Sequence, residues 1–291
     1  MSSKYWKLGI VGWPLGYSLS PLMHTAALKA AGLEGEYKEY PVKPEELDHW
    51  LETEAPKLDG FNVTMPHKQE IAAWCRTEGN SQDAFSVLSG VVNTIVMKGG
   101  RASGHNTDGD GFWTPLVKHK PLLIKWQVLL LGAGGAARAI AAVLTLRGVA
   151  REMAVWSRRL ESAERLVEET RKMSRNASVP ALAVKDLGSV PVEKCDVIIN
   201  ATPSGMEGEG DAPFPVTSRL RRGQVVYDLV YEPRETGLVL AARKAGCTVI
   251  TGDEMLAGQG AAAFEIWTRV PAGKVLPAMK KALDEHFAAR S

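Results

Sequence analysis

The segment from Trp126 to Gly148, WQVLLLGAGGAARAIAAVLTLRG, constrains this chain more than any other. A run of buried-strand character, Trp126 to Leu131, passes without a gap into a glycine turn and then into a helix of small residues. Gly132 and Gly134 stand where such a turn needs a tight bend and close backbone approach, and Ala137 takes the place of the third, packing glycine. The free N–H groups and dipole of the helix make that turn a seat for a pyrophosphate; the competing reading is a strand-to-helix turn that holds nothing. A second strand is expected at Glu152 to Trp156, followed by a solvated amphipathic helix over Glu161 to Arg175. Further strands at CDVIINAT, QVVYDLV and CTVITG alternate with helical or turn segments. This order predicts an α/β fold with a mostly parallel, doubly wound sheet.

The N-terminal part also alternates. We expect a strand over Tyr5 to Val11, a helix from Pro21 with Ser20 as its N-cap and Gly32 past its end, and a strand near Glu36 to Val42. Pro44 to Ala55 reads as helical, DGFNVTMPHK as a short strand entering a Pro turn, and Lys68 to Cys75 as a helix. GVVNTIVM and RASGHNTDG form a hairpin joined at Gly99-Gly100, with a helix from Asp108. Met255 to Trp267 and Gly273 to Ala289 are helical.

The 291 residues allow two domains, each able to bury a core. With 35 Lys and Arg against 33 Asp and Glu, the chain lacks the basic excess that nucleic acid binding requires. Cys75, Cys195 and Cys247 are widely spaced, which suggests neither disulfides nor zinc and fits a reducing cytoplasm. No apolar run is long enough for a membrane helix: Val128 to Leu144 is Gly-rich and contains Arg138. The glycines and proline of LGIVGWPLG argue against a signal peptide. No spacing of the six histidines matches a metal site, and His67 is assigned to packing or turn structure.

After the second cofactor strand stand Ser157, Arg158 and Arg159, with no carboxylate. Two guanidinium groups there suit a 2′-phosphate and favour NADP over NAD; a solvated arginine pair is the alternative. Glu152 is the rival ribose ligand, but it begins its strand and so faces away from the cofactor.

Three polar clusters fall at expected strand ends, where α/β domains bind ligands: Ser18 and Ser20, Asn62 to Lys68, and Asn106 to Asp108. The two serines offer hydroxyl donors for a carboxylate, against the reading of Ser20 as a cap alone. Lys68 opens a helix, where the dipole disfavours a second positive charge, and is a candidate proton donor to a ketone reduced by hydride. Asp108 is its candidate partner, although nothing local brings the two together; each also reads as an ordinary charge at a helix start. Asn62, Thr64, Asn93, Asn106 and Gln259 supply neutral donors and acceptors suited to a small polyol, or turns in the case of the asparagines.

These motifs resemble those of the shikimate dehydrogenases along nearly the whole chain: SLSP at Ser18, NVTMPHK at Asn62, GVVNT at Gly90, GHNTDG at Gly104, GAGGAARA at Gly132, NATPSGM at Asn200, DLVYEPRET at Asp228 and GDEMLAGQGAAAFEIW at Gly252. The resemblance implies NADPH-dependent reduction of 3-dehydroshikimate to shikimate in aromatic amino-acid biosynthesis. It implies two domains about a deep cleft, an N-terminal α/β substrate domain (residues 1–112 with 255–291) and a Rossmann-type NADP domain (113–254). Carried onto matching positions, it makes Lys68 the proton donor and acceptor and Asp108 its partner. Ser18 and Ser20 then bind the substrate carboxylate, Thr64, Asn93 and Gln259 join Lys68 and Asp108 around the ring oxygens, and Tyr231 closes the site. Gly132, Ala133, Gly134, Gly135 and Ala136 hold the pyrophosphate, Ser157, Arg158 and Arg159 the adenosine phosphate, and Thr202, Leu229 and Gly252 line the cofactor. The family often has Asn-Arg-Thr where this chain has Ser157-Arg158-Arg159, so the phosphate contacts differ in detail. A cytoplasmic monomer or homodimer is expected. The alternatives are a quinate/shikimate dehydrogenase of broader specificity and a non-catalytic NADP or metabolite binder on the same fold; the presence of both Lys68 and Asp108 speaks against the latter.

Overall fold

The computed structural model describes residues 4–16, 18–77, 79–119, 125–173, 180–206 and 216–290. The chain divides into two compact units, Met1–Gly111 with Ala257–Ser291, and Phe112–Leu256.

In the first unit β1 (Tyr5–Gly12), α1 (Ser20–Ala31), β2 (Glu34–Pro41), α2 (Leu47–Thr53), β3 (Gly60–Val63) and α3 (Lys68–Trp74) follow in order. After them come β4 (Ser81–Gln82), α4 (Ala84–Ser89), β5 (Thr94–Lys98), β6 (Arg101–His105) and α5 (Asp108–His119), which runs on past the division. The sheet order is β2-β1-β3-β5-β6-β4, with β2, β1 and β3 parallel and β5 antiparallel to both its neighbours. The sheet is therefore mixed. Gly99 and Gly100, at φ 59 and 75°, make the tight β5–β6 turn that only such residues enter without strain. Pro44 to Lys57 is broken into two 3₁₀ turns around α2 rather than one helix, because Pro44 and Pro56 each restart the backbone.

Helix α1 begins one residue earlier than expected. Leu19 is at the N-cap and Ser20 lies inside the first turn, while Ser18 Oγ accepts from the Ser20 N–H at 3.3 Å. Ser20 is thus not the cap; the hydroxyl two residues upstream satisfies the backbone donor instead.

The second unit contains β7 (Trp126–Leu131), α6 (Gly135–Leu146), β8 (Ala150–Trp156), α7 (Leu160–Met173), β9 (Ala181–Val184), β10 (Val197–Asn200), β11 (Val225–Asp228), α8 (Gly237–Lys244) and β12 (Thr248–Ile250). Ser174 and Arg175, the expected end of α7, lie outside the described residues. All six strands are parallel in the order β9-β8-β7-β10-β11-β12, so the winding reverses between β7 and β10. The carboxyl ends of those two strands, Leu131 and Asn200, are where such sheets take ligands. Val128 to Leu131 are buried without alternation, as a central parallel strand requires. Helices α9 (Gly252–Thr268) and α10 (Ala272–Ala288) complete the chain, α9 crossing the second division. In the first unit, Trp267 of α9 donates to the Ile95 carbonyl at 2.8 Å and fills the space that Gly60 leaves beside β5.

Candidate active site

In the first unit the register Asn62↔Thr94↔His105 brings the carboxyl ends of β3 and β6 to the amino end of β5. The segments leaving those ends carry Thr64, Asn93 and Asn106 to Asp108. Helix α3 begins at Lys68, preceded by His67, which is buried and donates from Nε2 to the Val42 carbonyl at 2.7 Å. His67 is therefore a structural anchor for the turn that presents Lys68. Asn106 caps the start of α5: its Oδ1 accepts from the Asp108 N–H at 3.0 Å and its Nδ2 donates to Ser89 Oγ and the Val91 carbonyl.

Lys68 Nζ lies 2.5 Å from Asp108 Oδ2, with side-chain exposures of 15% and 6%. Asn93 Nδ2 donates to the other carboxylate oxygen at 2.8 Å, and approaches Gln259 Oε1 at 3.4 Å. Lys68, Asp108, Asn93 and Gln259, drawn from four separate segments, thus form one cluster. A cation held by a carboxylate, with amide donors and acceptors beside it, can give or take a proton at an oxygen and orient the hydroxyls around it. Ser20 is buried and Ser18 half-buried at the start of α1, and Thr64 is half-buried just after β3. Asn62 bonds through its amide to Tyr37, Thr94 and the Asn93 backbone, which ties β3 to the start of β5.

In the second unit, Gly132 has φ +114° and a Cβ there would stand 2.7 Å from the Ala201 carbonyl oxygen, so only glycine fits. Gly134 is the N-cap of α6, no side chain caps it, and the space around it is open. With Ala133, Gly135 and Ala136 half-buried beside it, the turn offers free helix N–H groups to an anion, which fits a dinucleotide pyrophosphate. Ser157 follows β8, whose Trp156 carbonyl accepts from the Gly132 N–H at 2.7 Å; Arg158 and Arg159 next to it are exposed. Neither arginine has an ion-pair partner among the described residues. Glu152 lies near the start of β8, away from that end of the sheet.

A group absent from the sequence reading organises the rest. Asp228, fully buried at the end of β11, accepts from Asn200 Nδ2 at 2.8 Å, the Val230 N–H at 3.1 Å and Thr236 Oγ1 at 2.6 Å. Burial pushes its carboxyl above the usual range, against the pull of these three donors. Asn200 Oδ1 in turn accepts from Thr202 N–H and Oγ1, fixing the loop that runs beside Gly132. Gly252, lacking a Cβ, packs against the Leu229 carbonyl. Thr202, Leu229 and Gly252 are therefore held at the carboxyl ends of β10, β11 and β12, and half-buried Tyr231 lies in the loop after β11. The Asn and Asp ending two adjacent parallel strands were the signal available in the sequence.

Residues 10–95 match the family model described as the shikimate dehydrogenase substrate binding domain, and residues 128–207 that of the saccharopine dehydrogenase NADP binding domain. A shikimate dehydrogenase (NADP(+)) of Pelodictyon phaeoclathratiforme is 36% identical over 264 residues, 90% of this chain and 91% of its own length. A crystal structure of a shikimate dehydrogenase in complex with NADP+ superposes with a TM-score of 0.85 at 36% identity, covering 97% of this chain and 96% of that one. The shikimate 5-dehydrogenase of Thermus thermophilus, in complex with NADP(H) and shikimate, does so with a TM-score of 0.79 at 34% identity, over 95% and 99% of the two chains.

Proposed function

The chain belongs to the shikimate dehydrogenase family, and from that membership we propose that it reversibly reduces 3-dehydroshikimate to shikimate with NADPH, Lys68 serving as general acid and base. The observation that carries the assignment is the Lys68–Asp108 pair, at 2.5 Å and shielded from solvent. NADPH, when bound, supplies the hydride. Lys68 as the ammonium gives its proton to the ketone oxygen; in the oxidising direction its neutral amine takes the hydroxyl proton back. Asp108 aims the lysine and shares its charge, while Asn93 and Gln259 with Thr64 hold neighbouring ring hydroxyls. Ser18 and Ser20 take the substrate carboxylate at the start of α1.

The first unit is the substrate domain in this reading and the second the cofactor domain. Gly132 to Ala136 hold the pyrophosphate on the α6 N-terminus, and Ser157, Arg158 and Arg159 hold the 2′-phosphate, where unpaired guanidinium groups suit a dianion. Thr202, Leu229 and Gly252 line the path of the nicotinamide half. The same reading makes the protein a cytoplasmic monomer or homodimer; no helix among the described residues is long and apolar enough to cross a membrane.

The test is the near-UV absorbance of reduced nicotinamide when the purified protein meets shikimate or quinate, each with NADP or NAD. Strong turnover of shikimate with NADP alone is expected. Comparable turnover of quinate, or comparable use of NAD, points instead to the broader-specificity enzyme, and silence in every mixture points to a binding protein.

A further inference from the structure

Behind Asn93 lies a buried run of hydrogen bonds that does not itself touch the proton-transfer pair. Tyr37 Oη donates to Asn62 Oδ1 at 2.8 Å, and Asn62 Nδ2 donates to Thr94 Oγ1 at 3.1 Å and to the Asn93 carbonyl at 3.2 Å. Thr94 Oγ1, already accepting, turns its own proton to Asn93 Oδ1 at 3.0 Å, an oxygen that also accepts the Thr107 N–H at 2.8 Å. With Oδ1 so engaged, the Asn93 amide presents Nδ2 to Asp108 Oδ1 at 2.8 Å. An amide accepts only through oxygen and donates only through nitrogen, so the Asn93 carbonyl fixes which way Asn62 faces, Asn62 Nδ2 makes Thr94 Oγ1 an acceptor, and the Thr94 proton is left for Asn93 Oδ1 beside the Thr107 N–H. Tyr37 adds a donor to Asn62 Oδ1, and burial, which pushes its phenol well above the usual range, keeps that proton in place. Tyr37, Asn62, Thr94, Asn93 and Asp108 are all 7% exposed or less, so these hydrogen bonds are shielded from bulk solvent.

We propose that Thr94 is a positioning residue for the reaction: its hydroxyl, set by Asn62 and Tyr37, holds the Asn93 amide with its donor toward Asp108 and so holds the Asp108 carboxylate against Lys68. The inference rests on the assignment of proton transfer to Lys68 and Asp108. Turned the other way, Asn93 would face Asp108 with its own oxygen, two acceptors with no proton between them.

The test is a double-mutant cycle in the full-length protein with shikimate and NADP. Thr94→Val keeps the shape and removes the hydroxyl, and Thr94→Ser restores it. We expect Thr94→Val to lower kcat about tenfold, Thr94→Ser to recover most of that loss, and the Kd for NADP to stay within about twofold of wild type. In an Asp108→Asn background Thr94→Val has no further effect on the residual rate, because the group it positions is gone. Wild-type kcat in Thr94→Val overturns the proposal, as does an equal loss in both backgrounds, which marks a merely structural role. If Thr94→Val does not fold, Tyr37→Phe removes the first donor while keeping the ring stacked on His24, and the same loss, non-additive with Asp108→Asn, is expected. Wild-type kcat in that variant is equally fatal. Should Lys68→Ala and Asp108→Asn keep full turnover, the proton-transfer assignment fails; should they lose it while Thr94→Val does not, only the positioning role fails.

Discussion

Lys68 Nζ and Asp108 Oδ2 stand 2.5 Å apart, although 40 residues of chain separate them. The contact exists because α3 and α5 both begin at the same end of the mixed sheet, after the carboxyl ends of β3 and β6, and because Asn93 secures the second carboxylate oxygen. Asp108→Asn replaces an anion by a neutral group without changing its size. We expect kcat for shikimate oxidation to fall roughly 10²-fold, with NADP affinity preserved, in steady-state assays.

Gly132→Ala puts a Cβ at φ +114° and 2.7 Å from the Ala201 carbonyl oxygen. The turn must shift or strain, at a cost on the order of 1–3 kcal/mol. Titration calorimetry is expected to show NADP binding weakened about tenfold or more, and unaltered affinity would remove this turn from the cofactor site.

Arg158 is exposed at the end of β8, next to the strand that feeds the glycine turn. Arg158→Asp sets a carboxylate against the 2′-phosphate, so the NADP-to-NAD ratio of catalytic efficiency is expected to drop by about tenfold or more. A ratio equal to wild type would place the phosphate elsewhere.

His24 is fully buried, stacked on Tyr37 at a centroid distance of 4.3 Å, and burial lowers its pKa to about 3 from the ordinary 6.5. Between those values the unfolded chain binds a proton that the folded chain refuses, so stability is full above pH 6.5 and falls as the pH drops toward 3. The slope is up to about 1.4 kcal/mol per pH unit. Urea unfolding at pH 7 and pH 5 is expected to show a smaller difference for His24→Phe than for wild type; equal differences would mean that His24 is not the group that titrates.

Local chemistry made the strongest elements legible. The glycine turn at Gly132, the hairpin at Gly99-Gly100 and the helix start at Asp108 each declare themselves within a few residues, since turn geometry and helix ends are written in short-range backbone needs. Short elements did not. The β4 strand is two residues long, and α4, though capped by Asp83 on the Ser86 N–H and closed by Gly90, carries too few residues for a periodic pattern. Helix α1 starts at Ser20 with Leu19 at the N-cap and no side chain capping it, while the Ser18 hydroxyl accepts from the Ser20 N–H, an arrangement that residue preference alone does not resolve. Long-range relationships were least legible from residues alone: Asp108 was a candidate partner for Lys68 that the family resemblance strengthened, while the Asp228 clasp and the run from Tyr37 to Thr94 depend on which strands become neighbours. Asn62 illustrates the difference, since its polarity is plain in the sequence and its partners Tyr37 and Thr94 are not.

The central claim is that Lys68 moves the proton, and the most direct measurement is single-wavelength absorbance of NADPH formed from shikimate by wild type and Lys68→Ala, with NADP binding measured in parallel. The account predicts a loss in kcat of about 10²-fold or more at little changed NADP affinity. Turnover by Lys68→Ala at the wild-type rate would contradict it.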